Sequence, residues 1–357
     1  MRPTPSPNRG SCPVVSRIGL LTGGGDCPGL NAAIRAIVRR ADQANIQVFG
    51  FPGGWEGVLE NQTTQLTVAS TRGLLHRGGT ILGTSRVDPY NEQDGVARIQ
   101  ETLQVHRLDG LIVIGGEGTL SAATRLGQDE GIPIVGIPKT IDNDVGATEF
   151  TIGFATAVDV ATEAVDRLHS TAESHDRVMV LEVMGRHAGW IATYAGMAGG
   201  ADAILIPEQP FDIDRVGRHL KHRSGQGRDF SIVVVAEGAL PEEGTMEIGE
   251  YELDEFGRAR LGGLAYSISD ELEARTGFST RVTILGHVQR GGTPNAIDRV
   301  LATRMGVAAL EFAHTDQWGA MAAIVNRNIV PVPLTEATAE LKRVPPALYE
   351  VAEVFFG

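Results

Sequence analysis

The chain has 357 residues, enough for two domains or one large α/β unit. Its hydrophobic content of 42% and charged content of 21% are those of an ordinary folded protein, and a formal net charge of −13 opposes binding to a polyanion such as nucleic acid. Two cysteines, Cys12 and Cys27, make no disulfide framework and point to a reducing cytoplasm. No apolar run approaches the length of a membrane span. Residues 1–16 are rich in Pro, Ser and Arg without an apolar core, so they read as a disordered tail rather than an export signal. Asn61-Gln-Thr63 matches a glycosylation acceptor, a chance match in a cytoplasmic protein.

In chain order, short apolar runs alternate with longer amphipathic stretches. Strands are expected at Arg17–Leu21, Gln47–Phe51, Leu111–Ile114, Ile134–Ile137, Val178–Val183, Ala203–Ile206, Ser231–Ala236 and Val282–Leu285. Helices are expected at Leu30–Ala41, Gly95–His106, Thr119–Leu126, Thr156–Thr171, Ile213–Lys221, Ala265–Arg275 and Ala296–Phe312. Strands that are apolar throughout fit parallel sheets covered on both faces. The alternation predicts an α/β fold of two doubly wound lobes, with largely parallel sheets and a cleft between them. Gly238–Gly263 is acidic and glycine-rich and reads as a surface excursion, with a hairpin as one form.

Glycine turns at strand ends carry the chemistry, because ligands bind at the carboxyl edge of such sheets. Arg17–Leu21 leads into Thr22-Gly-Gly-Gly-Asp-Cys-Pro-Gly-Leu-Asn31. Such a turn lets backbone N–H groups meet a phosphate at a helix start, although a plain strand–helix turn has the same look. It is neither a Walker loop nor a Gly-x-Gly-x-x-Gly. Cys27 reads as a packed thiol rather than a reactive one. Gly115-Gly-Glu-Gly-Thr119 is a second such turn, in which Glu117 either holds a metal, directly or through water, or complements the helix terminus. Thr140-Ile-Asp142-Asn-Asp144 offers Asp142 as a general base and Asp144 as a supporting acid, against the alternative of capping acids in an Asx turn. Val183-Met-Gly-Arg-His-Ala-Gly-Trp190 presents Arg186 to an anion, and Leu285-Gly-His-Val-Gln-Arg-Gly-Gly292 does the same with His287 and Arg290. Arg86, Arg177 and Arg281 are further anion-binding candidates.

These segments, together with Arg77–Arg86, Thr151–Asp166, Gly199–Glu208, Val234–Gly238 and Leu285–Arg304, resemble the bacterial-type 6-phosphofructokinases over nearly the whole chain. The resemblance implies phosphoryl transfer to the C1 hydroxyl of fructose 6-phosphate, with Mg²⁺ as cofactor. It implies a larger donor-binding lobe of residues 17–153 and 289–337, and a smaller sugar-phosphate lobe of residues 154–288 and 338–357. Gly24, Arg86, Val87 and the turn Gly116, Glu117, Gly118, Thr119 would hold the donor, with Glu117 at the Mg²⁺-binding position. Thr140, Ile141 and Asp142 would lie at the acceptor hydroxyl, with Asp142, Asp144 and Arg186 as the catalytic set. Met184, Gly185 and Arg186 would contact the sugar phosphate and the transferring group, and Glu237 would accept from a sugar hydroxyl. The run His287, Val288, Gln289, Arg290 would hold the 6-phosphate. Arg177 and Arg281 would reach a neighbouring subunit's site, which implies a homo-oligomer, dimer or tetramer, with shared active sites.

Two residues mark the donor. Gly118 stands where pyrophosphate-dependent relatives usually carry Asp, and leaves room for a nucleotide α-phosphate. Lys139 resembles the pyrophosphate-dependent side. The expectation is ATP, with pyrophosphate, or another acceptor such as sedoheptulose 7-phosphate, as the alternatives. The Gly/Lys pair, Glu117 and the acidic insertion resemble an actinobacterial-type branch. Arg35 and Arg39 match part of the effector site of regulated relatives, but Arg228 is all that remains of its basic cluster, which predicts weak or absent allosteric control.

Overall fold

The computed structural model describes residues 15–247, 261–354 and 356. The larger lobe opens with β1 (Arg17–Thr22), α1 (Leu30–Gln43), β2 (Gln47–Phe51), α2 (Trp55–Leu59) and β3 (Thr64–Leu66). It continues with α3 (Gly95–His106), β4 (Gly110–Gly115), α4 (Glu117–Asp129) and β5 (Ile134–Pro138). The smaller lobe holds α5 (Phe154–His175), β6 (Val178–Val183), α6 (Trp190–Gly199), β7 (Ala203–Leu205) and α7 (Ile213–Gly225), then β8 (Ser231–Ala236), α8 (Leu264–Thr276) and β9 (Thr280–Ile284). The chain then forms α9 (Ala296–His314), β10 (Ala320–Val325), β11 (Asn328–Pro333), α10 (Leu334–Ala337) and α11 (Pro346–Glu353).

Seven strands form one sheet in the order β11-β10-β5-β4-β1-β2-β3. Only β3 on β2 and β11 on β10 run antiparallel. The second sheet, β7-β8-β6-β9, is parallel throughout. β4, β5, β6 and β8 are buried along their full length, as expected of central strands covered on both faces. One apolar core joins the sheets, with Leu20 and Ile112 on one side, Leu181 and Val234 on the other, and Ala157 of α5 and Leu301 of α9 between them.

Register delivers the motif turns together. Thr22 pairs with Ile114 and Gly115 with Pro138, so β1, β4 and β5 end side by side. Val183 pairs with Ala236 and Glu182 with Ile284, so β6, β8 and β9 also end together.

Every expected strand and helix is present, some with the expected bounds, such as Gln47–Phe51 and Gly95–His106, and others with shifted ends. β9 starts at Thr280 rather than Val282, and α5 runs from Phe154 to His175, longer than its expected span. Of the expected tail, residues 1–14 lie outside the described residues, and residues 15 and 16 belong to the fold: Val15 is buried, and the Ser16 N–H donates to Asp109 Oδ2 at 2.6 Å. α6 has no polar stripe to announce a helix, because it packs against α5 and β8 with most of its residues buried. β10 and β11 are hard to read because the first is Ala-rich and the second carries Pro331 and Pro333, which an edge strand tolerates. The hairpin expected within Gly238–Gly263 falls mainly on residues 248–260, outside the described residues. Among the described residues no helix is long and apolar enough to cross a membrane.

Candidate active site

The strand ends enclose a cavity of about 450 Å³, lined from both lobes. On the donor side the first turn folds against its neighbours through backbone bonds. Gly23 N–H donates to Ile114 O at 2.9 Å, and Gly24 N–H donates to Ser85 O at 2.9 Å. Gly24 has φ of +78°, a conformation open to glycine at little cost. A side chain at Gly25 would run into the Arg290 guanidinium. The second turn starts α4 at Gly116, so the free N–H groups of the first helical turn face the cavity with the partial positive charge of a helix N-terminus. Gly118 lies in that turn, and a Cβ built there meets nothing within 4 Å. Gly24, Arg86, Val87, Gly116, Glu117, Gly118 and Thr119, the whole expected donor set, line this cavity.

Lys139 is 2% exposed, and its ammonium donates to Gly23 O at 2.8 Å and Gly25 O at 2.5 Å. It braces the first turn and also lines the cavity. Burial pulls its pKa below the ordinary lysine value, and the nearby Arg290 charge acts in the same direction.

The acids sit where β5 hands the chain across the cleft. Asn143 has φ of +52°, so Asp142 and Asp144 lie in a turn and not along an extended strand. Oδ1 of each is buried without a hydrogen-bond partner among the described residues, and both residues line the cavity. Burial raises the Asp142 pKa, opposed by the charges of Arg290 and Arg186. Burial raises Asp144 to about 7, helped by repulsion from Asp142 and Glu117. Among the described residues no three His, Cys, Asp or Glu groups could hold a metal by themselves. Unpartnered carboxylate oxygens that repel one another nevertheless suit a cation that takes its remaining ligands from substrate phosphates, the usual habit of Mg²⁺.

The sugar-phosphate candidates divide. Thr140, Ile141, Asp142, Arg186 and Arg290 line the cavity. Met184, Gly185 and Glu237 adjoin Arg186 but do not line the cavity. Glu237 Oε1 accepts from Gly185 N–H at 3.4 Å and Arg186 N–H at 3.2 Å, bracing a turn in which Gly185 has φ of +148° and Arg186 +52°. Burial raises the Glu237 pKa, and the Asp142 charge adds to the rise. Gln289 is fully buried, with Nε2 on Gly286 O at 3.1 Å, while His287 and Val288 are exposed and do not line the cavity. Arg177 and Arg281 also lie outside it, Arg281 exposed on β9, an edge strand. Cys27 is fully buried and burial pushes its thiol pKa up, as a packed thiol requires. On α1, Arg35 is half-buried and Arg39 exposed, and Arg228 is exposed after α7.

Asp26, Asp88, His187, Leu261 and Leu341 also line the cavity but were not singled out in the sequence. Asp26 and His187 lie inside motif turns and were legible there. Leu341 and its neighbour Lys342 arrive from a C-terminal segment that carries no motif. Lys342 is half-buried, and burial lowers its pKa to about 7 against the charges of Asp144 and Glu149.

Residues 17–313 match the family model described as phosphofructokinase. A Streptomyces coelicolor protein named pyrophosphate–fructose 6-phosphate 1-phosphotransferase is 54% identical over 342 residues, 96% of this chain and 100% of its own length. A Mycobacterium tuberculosis protein named ATP-dependent 6-phosphofructokinase is 54% identical over 343 residues, again 96% and 100%. Among solved structures, Pichia pastoris phosphofructokinase in the T-state matches with a TM-score of 0.80 at 33% identity. The match covers 98% of this chain and 37% of that longer one.

Proposed function

The chain belongs to the phosphofructokinase family, and we propose that it is an ATP-dependent 6-phosphofructokinase of the cytoplasm, phosphorylating the C1 hydroxyl of fructose 6-phosphate. One observation carries this reading: Asp142 shares a single cavity with both glycine turns and with Arg186 and Arg290, the Arg290 guanidinium lying next to Gly25 of the first turn. That arrangement suits two phosphate-bearing molecules meeting head to tail across one carboxylate.

Backbone N–H groups at Gly24 and at the start of α4 bind the donor phosphates. Asp142 accepts the proton from the C1 hydroxyl, and its raised pKa makes it a stronger base than an ordinary aspartate. The freed oxygen attacks the terminal phosphorus in line. The transition state is loose, so the protein's work is positioning and charge neutralisation. Arg186 faces the transferring group, and Arg290 anchors the 6-phosphate, so binding energy at the far end of the sugar orients the near end. Glu237 holds the Met184–Arg186 turn in place and reaches the sugar hydroxyls. Glu117, with Asp144, would hold Mg²⁺. Bound there, the ion would offset the negative charge gathering on the transferred phosphoryl group. His287 and Val288, exposed beside Arg290, are assigned to the outer rim of the 6-phosphate end, and Gln289, buried with Nε2 on Gly286 O, holds the turn that presents them. Arg177 and Arg281, outside the chain's own cavity, serve the neighbouring site of a homo-oligomer, dimer or tetramer.

Relatives named for either donor are equally similar, so identity does not choose between them. Two observations favour ATP. The space at Gly118 is open, and the Lys139 ammonium already bonds two backbone carbonyls. Pyrophosphate remains the second reading because of those relatives' names. Purified protein supplied with fructose 6-phosphate, Mg²⁺ and either donor decides the matter by fructose 1,6-bisphosphate formation. ATP is expected to support turnover; product from pyrophosphate and none from ATP would reverse the donor assignment.

A further inference from the structure

The segment Leu341–Val344 crosses between the lobes at the wall of the cavity, and its bonds reach the catalytic turn from one side and the arginine turn from the other. Lys342 N–H donates to Asp144 O at 2.8 Å. Its ammonium donates to Asn143 Oδ1, Thr148 O and Glu149 O, each at 2.9 Å. All three acceptors belong to the loop that follows β5. On the other side, Trp190 Nε1 donates to Lys342 O at 2.9 Å, and its ring centroid lies 5.1 Å from the ammonium. Val344 N–H donates to Glu208 Oε1 at 2.9 Å. Glu208 in turn accepts the Gly189 N–H on both oxygens at 3.0 Å, three residues beyond Arg186.

Asn143 occupies a left-handed conformation that a non-glycine residue holds only when its surroundings fix it. Its Oδ1 is fixed by the Lys342 ammonium and by Thr151 N–H at 3.1 Å. The residues on either side of it are the two acids. A rotation at Asn143 would move both carboxylates relative to Arg186, and a displacement near 1 Å is enough to cost about 100-fold in rate.

We propose that Lys342 is a positioning residue: with its segment it straps the Asp142–Asp144 turn of one lobe to the Met184–Trp190 turn of the other and so sets the carboxylates against Arg186. This rests on the function proposed above. The strap touches neither the donor turns nor the 6-phosphate end, so its loss should slow the chemical step without weakening sugar-phosphate binding.

The full chain is tested as wild type, Lys342→Met, Lys342→Arg and Trp190→Phe. Fructose 1,6-bisphosphate formation, fructose 6-phosphate KM and thermal unfolding are each measured. Lys342→Met is expected to lower kcat by about 10–100-fold with the KM changed less than about threefold, the signature of an interaction that matters in the transition state. Lys342→Arg keeps the charge and several donors, and is expected to recover kcat to within about fivefold of wild type. Trp190→Phe removes one hydrogen bond to the strap and serves where the methionine variant fails to fold; it should lower kcat about threefold or more with native thermal unfolding. The strap is refuted if kcat is unchanged in both Lys342→Met and Trp190→Phe. It is equally refuted if KM rises in proportion as kcat falls, or if arginine restores thermal stability but not kcat. A wild type that makes no fructose 1,6-bisphosphate from either donor refutes the proposed function itself, a different result from an active wild type with indifferent variants.

Discussion

Gly118→Asp is the most informative single change, because the fold should ignore it while the donor should not. A Cβ at residue 118 contacts nothing within 4 Å, so the side chain enters without displacing a neighbour. Residue 118 also lies in the first turn of α4, where an added carboxylate is compatible with the helix dipole. The unfolding temperature should therefore stay near that of wild type. The cavity-facing carboxylate would confront a nucleotide phosphate. At about 6 Å and an effective dielectric of about 20, one pair of like charges costs about 3 kcal/mol, or about two powers of ten in binding. The open cavity admits water and salt, which brings the expectation to a 10–100-fold rise in ATP KM. Gly118→Ala separates volume from charge and should be nearly silent. The assay is steady-state product formation with ATP and with pyrophosphate for all three proteins. An aspartate variant whose ATP kcat/KM stays within about threefold of wild type would show that the carboxylate does not share space with the donor.

Asp144→Asn should stabilise the ligand-free protein near neutral pH. Folding raises the Asp144 pKa from its ordinary 3.8 to about 7, so between those values the folded chain keeps a proton that the unfolded chain releases. Stability from this group is therefore present at acid pH and lost as pH rises towards 7. Full burial would make the loss about 4 kcal/mol, and the half-buried position reduces it to about 1–2 kcal/mol. Thermal unfolding at pH 5 and pH 7 should show a distinctly larger gain for the variant at pH 7 than at pH 5, and equal gains at both would contradict the assignment. Lys139→Met leaves the Gly23 and Gly25 carbonyls without their donor and should cost about 1–3 kcal/mol of stability. It should lower ATP and pyrophosphate use together. Selective loss of pyrophosphate use would show that the ammonium serves that donor directly.

Much of the fold was legible because parallel strands that are buried on both faces advertise themselves as unbroken apolar runs, as β4 and β6 do. The turns were legible because a glycine run after such a strand has few other uses. What stayed hidden lacked periodicity. α6 is apolar nearly all round, and the prolines of β11 argue against a strand unless its edge position is known. In the site, Asp142, Glu117, Arg186 and Arg290 were readable from their turns. Lys139 was not: as a residue type it suggests a cation facing a phosphate, and only its distances to Gly23 and Gly25 reveal a brace. The short helical turn Gly286–Arg290 sends Arg290 into the cavity and leaves His287 exposed beside it, a division that the residue types alone do not give. Lys342 was silent in the sequence because its partners lie almost two hundred residues earlier, with separations of 193 to 199.

In the proposed reaction one buried carboxylate stands between two phosphate-binding ends and takes the proton in the step that joins them. Asp142→Ser tests it most directly, with turnover and fructose 6-phosphate affinity measured on the same preparation. The expected result is a fall in kcat of about 10²–10⁴-fold with sugar-phosphate affinity close to that of wild type. Near-normal turnover in the serine variant would contradict it.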